Sequence, residues 1–486
     1  MRGKTEGCAQ YLARDLRLAP VSDAINQIPR FDGSASSAAL RQCLQGGTAF
    51  HNANLSREEK EVVEHFYRDP ASPLRVLVAT TTVAAGINTP ASTVIIAEQE
   101  FVGEDGRNFT VAEYKNMAGR AGRLGFNEEG TSIILSETPA DTYRLVAQYA
   151  SGSPESLQSS FHPDEIDTWL LRLLAQPQVR SLPRSEVPRL IASTYGGFLA
   201  TASDPGWRQR TTAYVEQLLE TMIRLGLAEE SGVGMRLTPL GQVCGNSPLA
   251  FKSALRLIEL VRNLQPSLIK AQSLLAIVQV LDEADAAYTP MFKKGSKESI
   301  QAQYAGTRFG DAIALLLQRN AEGIYSYWAR CKRAAASWDW IHGIPVETIE
   351  QRYSVNPYQG RVSRGDIVRF ADTTRWCLRS VHQIVALIYP STAPNGEDID
   401  ALSKSLEVGL PKDSLDLLTL PVRLTRGEYL ALRNAGLRTA EQVGLADRRQ
   451  LEPLVGGQNA LILVPESTAT FAIAAGAELD GEDSTL

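Results

Sequence analysis

Met117-Ala118-Gly119-Arg120-Ala121-Gly122-Arg123 sets two arginines three apart in a glycine-rich turn, and the fold follows from what such a turn needs. A guanidinium stays charged at any working pH and its forked donors match phosphate oxygens, while glycines leave room for a close approach. The turn therefore suits the γ-phosphate of a nucleotide held elsewhere. Working outward, Arg75-Val76-Leu77-Val78-Ala79-Thr80, Thr93-Val94-Ile95-Ile96-Ala97 and Thr131-Ser132-Ile133-Ile134-Leu135 are short apolar runs separated by helical patterns such as Ser56 to Tyr67. They read as central parallel strands of a doubly wound α/β layer, whose ligands sit at the carboxyl ends of the strands.

Length and composition bound the rest. The 486 residues allow roughly three or four compact units of ~100–200 residues each. With 44% hydrophobic and 21% charged residues the composition is that of a globular chain. No apolar run approaches the ~20 residues that span a bilayer, so no membrane partner is expected. Cys8, Cys43, Cys244, Cys331 and Cys377 lack metal-ligand spacing, which suits a reducing compartment: cytoplasmic, or nuclear in a eukaryote. A net charge of -6 argues against wholesale coating of nucleic acid and leaves room for a local basic track.

The expected organisation is multidomain, α/β followed by α. The α/β layer occupies residues 1–150. In 151–246, the helix Thr212 to Leu225 runs into a Gly-rich hairpin at Gly226 to Thr238, the helix, strand, turn and strand of a winged helix, used either for DNA or for packing. A helical bundle fills 247–390. After the Ser391 to Glu397 linker, short helices around Gly427, Gly436 and Gly444 resemble a helix-hairpin-helix in 391–470, and an acidic tail closes the chain at 471–486.

One helix argues for nucleic acid from its own periodicity. At about 100° per residue, Ile367, Phe370, Ala371, Thr374, Leu378, Val381, Val385 and Ile388 form one buried stripe. Arg369 and Trp376 project together from the opposite face, near Thr373 and Ser380. A base stacked on the indole is worth ~1–3 kcal/mol, with arginine adding phosphate or cation–π contact. The alternative is that Trp376 packs against a neighbouring domain. Arg361, Arg364, Arg375 and Arg379 enrich the neighbourhood in positive charge.

Ala79-Thr80-Thr81-Thr82-Val83-Ala84-Ala85-Gly86-Ile87-Asn88-Thr89-Pro90-Ala91 precedes Tyr114-Lys115-Asn116 and the arginine turn, and together they resemble helicase motifs V and VI. Gly46 to Leu55 resembles motif IVa, Arg2 to Glu6 the tail of motif IV, and Ser193-Thr194-Tyr195 the family's winged-helix entry. By these residues the chain is identified as a member of the superfamily two DExH helicases, in the DNA-repair branch that holds the helicase part of polymerase theta and its archaeal relatives. The resemblance implies a RecA-like fold for the first domain and a ratchet role for the helix carrying Arg369 and Trp376. It implies that Arg120 and Arg123 reach the γ-phosphate of ATP across a cleft, with Arg123 the arginine finger, a group that adds ~10³–10⁵ to turnover in phosphoryl transfer. Gly86 and Asn88 would lie beside the nucleotide, and Thr82 and His51 would hold phosphates of the translocating strand. Asn116 stands where the family usually has glutamine, so the resemblance does not carry over the reach of that side chain or its adenine-side or coupling role. Between motifs V and VI, Glu100 to Val111 carries an Asp-Gly turn signal. Either it is a strand-separating hairpin, with Phe101 or Phe109 stacking on the last base pair, or an ordinary connection. Gly427, Gly436 and Gly444, with Arg423, Arg426, Arg433 and Arg438 nearby, either meet DNA phosphates or only pack.

The other half of an ATP site is missing from the sequence. Gly3-Lys4-Thr5 mimics the end of a phosphate-cradling loop, but the loop's first glycine would fall before Met1. Leu281-Asp282-Glu283-Ala284-Asp285 spells a DEAD box, yet it follows motif VI and reads as a solvated helix end. The chain is therefore expected to be truncated, needing a first RecA-like domain from upstream or from a partner chain to bind most of the ATP and Mg²⁺. On this reading its partners are single-stranded or forked DNA and that domain. An ATP-independent single-stranded DNA-binding protein and an RNA helicase of the same superfamily are the alternatives.

Overall fold

The computed structural model describes residues 2–81, 91–100, 106–122, 129–157, 159, 165–179, 181–232, 234–319, 321–356 and 359–465. The chain divides into two compact units, one of residues 1–29, 33–161 and 363–365, the other of 30–32, 162–362 and 366–486.

In the first unit α1 (Arg2–Leu16), α2 (Ser22–Gln27) and α3 (Ala35–Gln45) lead into β1 (Thr48–His51), followed by α4 (Arg57–Arg68), β2 (Val76–Ala79), β3 (Thr93–Ile96), α5 (Val111–Ala118), β4 (Thr131–Ile134) and α6 (Pro139–Leu145). Ser34 and Ser56 open α3 and α4 with capping boxes, which satisfy the first amides of each helix without neighbours. β1 pairs in parallel with β2, and β3 with β4. The parallel α/β reading is thus met in two pairs rather than one described sheet. The three predicted runs form β2, β3 and β4, but none of them is buried throughout. β1, absent from the predicted strands, is buried along its whole length, whereas β2 is half-buried and β3 buries only Ile96. In register, Ile95 faces Ile133, and the two are 59% and 40% exposed. Phe50 and Ala49 of β1 sit in a core with Ala9, Leu40, Leu44 and Val63, and Thr48 donates to the Ala9 carbonyl at 3.0 Å.

Among its described residues the second unit is helical apart from one hairpin and the bridge that joins it. It runs through α7 (Ile166–Leu174), α8 (Glu186–Ala192), α9 (Tyr195–Ser203), α10 (Trp207–Arg224), β5 (Ala228–Ser231), β6 (Gly234–Leu237), α11 (Pro239–Gly245) and α12 (Phe251–Arg262). α13 (Ser273–Val278), α14 (Asp282–Asp285), α15 (Ile300–Phe309), α16 (Asp311–Leu316), α17 (Ile324–Ile341), α18 (Val346–Tyr353), α19 (Arg364–Ile388) and α20 (Gly396–Val408) follow. The last four are α21 (Arg426–Asn434), α22 (Ala440–Gly444), α23 (Arg448–Val455) and α24 (Gly457–Leu463). β5 and β6 pair antiparallel where the sequence placed a hairpin, and Leu182 adds a bridge to Met235. α21 to α24 close on their own core of Leu430, Leu432, Val443, Leu451 and Ala460.

Candidate functional site

The arginine turn is set by the helix before it. Thr110 caps α5 by accepting from the Glu113 amide, and Glu113 returns to the Thr110 amide at 2.8 Å. Arg107 closes on the same carboxylate through both terminal nitrogens, at 2.8 and 2.7 Å. That guanidinium, with the Thr110 amide, holds Glu113 down to a pKa of about 2. α5 then ends at Gly119. Past it, the Ala91 amide donates to the Arg120 carbonyl at 3.3 Å and the Gly122 amide to the Ala91 carbonyl at 3.1 Å. The end of the motif V resemblance is thereby bonded to the turn of motif VI. Gly122 has φ +66 and a Cβ there would lie 2.5 Å from the Gly130 amide nitrogen, so both its conformation and its neighbour demand glycine. Arg120 is half-buried in this turn and Asn116 is exposed on the last turn of α5. Arg123, Gly86, Asn88, Thr82 and Phe101 lie outside the described residues.

Two predicted contacts are corrected by burial. His51, at the end of β1, is 4% exposed with Nε2 on Glu64 at 3.2 Å. Burial, opposed by Glu64, leaves its pKa lowered, and a ring so enclosed offers no surface to a strand phosphate. Phe109 is also 4% exposed, packed with Ile96, Val111, Tyr114 and Tyr149, and the Tyr149 hydroxyl donates to its carbonyl at 2.9 Å. A ring so enclosed belongs to the core and cannot stack on a base pair. A hub that the sequence reading passed over is Glu6: its Oε1 accepts from Ser36, Asn52 and Asn54 at 2.9, 3.1 and 2.8 Å. It ties the motif IV-like helix to the motif IVa-like turn. Glu6 stood inside a quoted motif; what hid its role is that its partners are buried asparagines.

α19 behaves as its periodicity predicts. Ile367, Phe370, Ala371, Thr374, Leu378, Val381 and Val385 are buried and Ile388 half-buried, while Trp376 is 62% exposed. Ser380, expected near the polar face, is buried at 7%, because Cys377 and Ile384 widen the buried side beyond one stripe. Arg369 shares the face of Trp376 and pairs with Asp366 at 3.1 Å. Arg375 reaches Asp372 and Glu407, and Arg379 reaches Asp400 at 3.0 Å. Trp376 is thus a solvent-facing indole among arginines already paired with carboxylates.

Gly3-Lys4-Thr5 and the DEAD sequence are taken up in the fold's own contacts. Lys4 is on α1 and pairs with Glu98 at 2.8 Å. In the DEAD sequence Asp282 pairs with Arg256, Glu283 accepts the Ala250 amide at 2.6 Å, and Asp285 bonds both Arg330 and Arg333. Arg333 also donates to Gln279 at 3.0 Å, and Gln279 to Thr374 of α19 at 2.8 Å. Asp285 is therefore an anchor for the Trp376 helix rather than a solvated end. In the terminal helices Arg426 is 6% exposed: it stacks over Trp340 at 4.1 Å, pairs with Asp32 and donates to the carbonyls of Gly409, Trp340 and Ile344. Gly427 is pressed against Phe31, whose Cβ would lie 2.5 Å from an added Cβ. Arg433 and Arg438 both pair with Asp413. Arg426 and Gly427 are thus removed from the phosphate-contact candidates, and Arg423 stays exposed.

Comparison with known families places both regions. Residues 33–125, which contain the arginine turn, match the helicase conserved C-terminal domain, and residues 275–408, which contain α19, match domain 4 of archaeal helicases. Both regions are thus similar to superfamily 2 DNA helicases of the Hel308-like kind. The chain is similar to the ATP-dependent DNA helicase Hel308 of Caldivirga maquilingensis, 26% identical over 439 residues that cover 87% of this chain and 55% of the relative. With Hel308 of Pyrococcus horikoshii it is 27% identical over 465 residues, 94% of this chain and 61% of the relative. With that of Thermoplasma acidophilum it is 26% identical over 469 residues, 93% and 61%. The chain thus spans between 55% and 61% of the length of these curated relatives.

Proposed function

We propose that this chain forms the carboxyl-terminal part of an ATP-dependent helicase that moves 3′ to 5′ on single-stranded DNA and unwinds duplex. The observation that carries the reading is Trp376, an indole 62% exposed on a helix whose opposite side is buried, inside the region matched to archaeal helicase domain 4. An exposed indole with an arginine beside it is a stacking platform for bases. Residues 1–150 act as the second RecA-like domain, 151–246 as a winged helix, 247–390 as the ratchet domain and 391–470 as a helix-hairpin-helix. Arg120 and Arg123 stabilise charge on the transferring phosphoryl group, with Gly86, Asn88 and Asn116 beside the nucleotide.

Most contacts to ATP and Mg²⁺ then come from a first RecA-like domain, upstream or on another chain. Among the described residues no group of three acidic, histidine or cysteine side chains is placed to hold a metal, so no step is assigned here to the ion. Asp282, Glu283 and Asp285 are engaged in ion pairs and capping, which supports a chain that holds DNA without turning over ATP by itself. ATP hydrolysis by the purified chain with single-stranded DNA present is expected to be absent. Turnover abolished by Asp282→Asn or Glu283→Gln would overturn the reading. Binding to DNA and RNA strands of one sequence separates it from an RNA-directed relative: preference for RNA would favour the latter.

A further inference from the structure

We propose that the loop Phe292 to Lys297, together with Arg361, is a binding surface for the phosphodiester backbone of single-stranded DNA. This rests on the DNA reading above and adds a site to it. Lys293, Lys294, Gly295, Ser296 and Lys297 are all exposed in sequence, and the loop that carries them is anchored from beneath. The acidic residue that follows it, Glu298, points inward: both Glu298 and Lys332 are 0% exposed and paired at 2.9 Å, with Glu298 also accepting from the Phe292 amide at 2.8 Å and from Gln301 at 3.1 Å. Gly295 turns the chain at φ +64, and the Tyr325 hydroxyl donates to its carbonyl at 3.0 Å. Lys297 lies over the Phe292 ring at 5.4 Å.

Arg361 joins the loop through its neighbour. Gly360, at φ +70, is so close to Met291 and Phe292 that an added Cβ would lie 2.6 Å from their backbone. The stretch from Ser354 to Gly365 contains no acidic residue. Among the described residues Lys294, Lys297 and Arg361 make no ion pair, in contrast to Arg369, Arg375 and Arg379 on α19. In a chain of net charge -6, an anchored loop whose neighbouring carboxylate is turned inward and whose lysines are exposed is a place for anions to dock. Arg361 lies just before α19, and Trp376 stands about 18 Å along that helix from Arg364. Backbone contact at the loop and stacking at Trp376 are the two components of a single-strand track.

The test is fluorescence anisotropy of a labelled oligothymidine with the full chain across a KCl series. Each phosphate contact on single strands contributes about 0.7 to the slope of log affinity against log salt. Lys294→Gln/Lys297→Gln/Arg361→Gln is expected to lower the slope by about 2 and to weaken binding at low salt about tenfold. Lys294→Gln/Arg361→Gln, which leaves the Lys297–Phe292 contact in place, should lower it by about 1.4. Trp376→Ala should weaken binding with the slope unchanged. An unchanged slope in both loop variants overturns the loop site while the DNA reading stands. A lowered slope with Trp376→Ala silent supports the loop and removes the stacking role. No binding by the unaltered chain overturns both.

Discussion

Asp285 shows how much a residue's meaning depends on what surrounds it. As a letter in a DEAD sequence it suggests a metal ligand; in the structure it pairs with both Arg330 and Arg333, which are 1% and 3% exposed. Removing one partner of a buried pair leaves uncompensated charge at a cost of about 3–5 kcal/mol. Asp285→Asn should therefore lower the urea unfolding midpoint strongly. Asp282→Asn, whose pair with Arg256 is open to solvent on the aspartate side, should cost about 1 kcal/mol or less. Equal effects would refute the anchoring role. Glu113 gives a pH signature. Its pKa of about 2 lies below the ordinary 4.5, so the stabilisation it gives the arginine-turn helix is complete above about pH 4.5 and is lost as pH falls through the folded value. Glu113→Gln should flatten the acid side of a thermal melting series, whereas an unchanged acid profile would mean the Arg107 clamp contributes nothing.

At the scale of elements, legibility followed the strength of the periodic signal. The stripe on α19 spans many turns, and its buried face and outward Trp376 were both readable. The hairpin of β5 and β6 was marked by its glycines. β1 was not readable, since Thr48-Ala49-Phe50-His51 has no run of branched apolar residues, yet it is the strand buried throughout. The strands with the strongest apolar runs are partly exposed. Burial is decided by what lies on each face of a sheet, and a four-residue strand does not encode its neighbours. Likewise Arg426 and Gly427 have the composition of a phosphate-contact hairpin but serve contacts with Asp32, Trp340 and Phe31 that are remote in sequence. Gly427→Ala should cost about 1–3 kcal/mol through overpacking against Phe31, read as a loss of thermal stability. Gly444→Ala, where an added Cβ meets nothing within 4 Å, should be close to neutral. The reverse order would contradict the packing role.

Over the whole molecule, two family matches fall in different compact units: the arginine turn in the first, the Trp376 helix in the second. On the proposed reading the arginines act on a nucleotide held mainly by another domain, while the indole and the basic loop need only a strand. The proposed division of labour makes DNA binding by this chain independent of nucleotide. It is tested by equilibrium binding of a fluorescent single-stranded oligonucleotide to the intact chain and to Trp376→Ala, each with and without ATP and Mg²⁺. Binding that weakens about tenfold in Trp376→Ala, within the ~1–3 kcal/mol of one stacked base, and that ignores ATP is the expected result. Binding indifferent to Trp376, or altered by ATP in the intact chain, would contradict it.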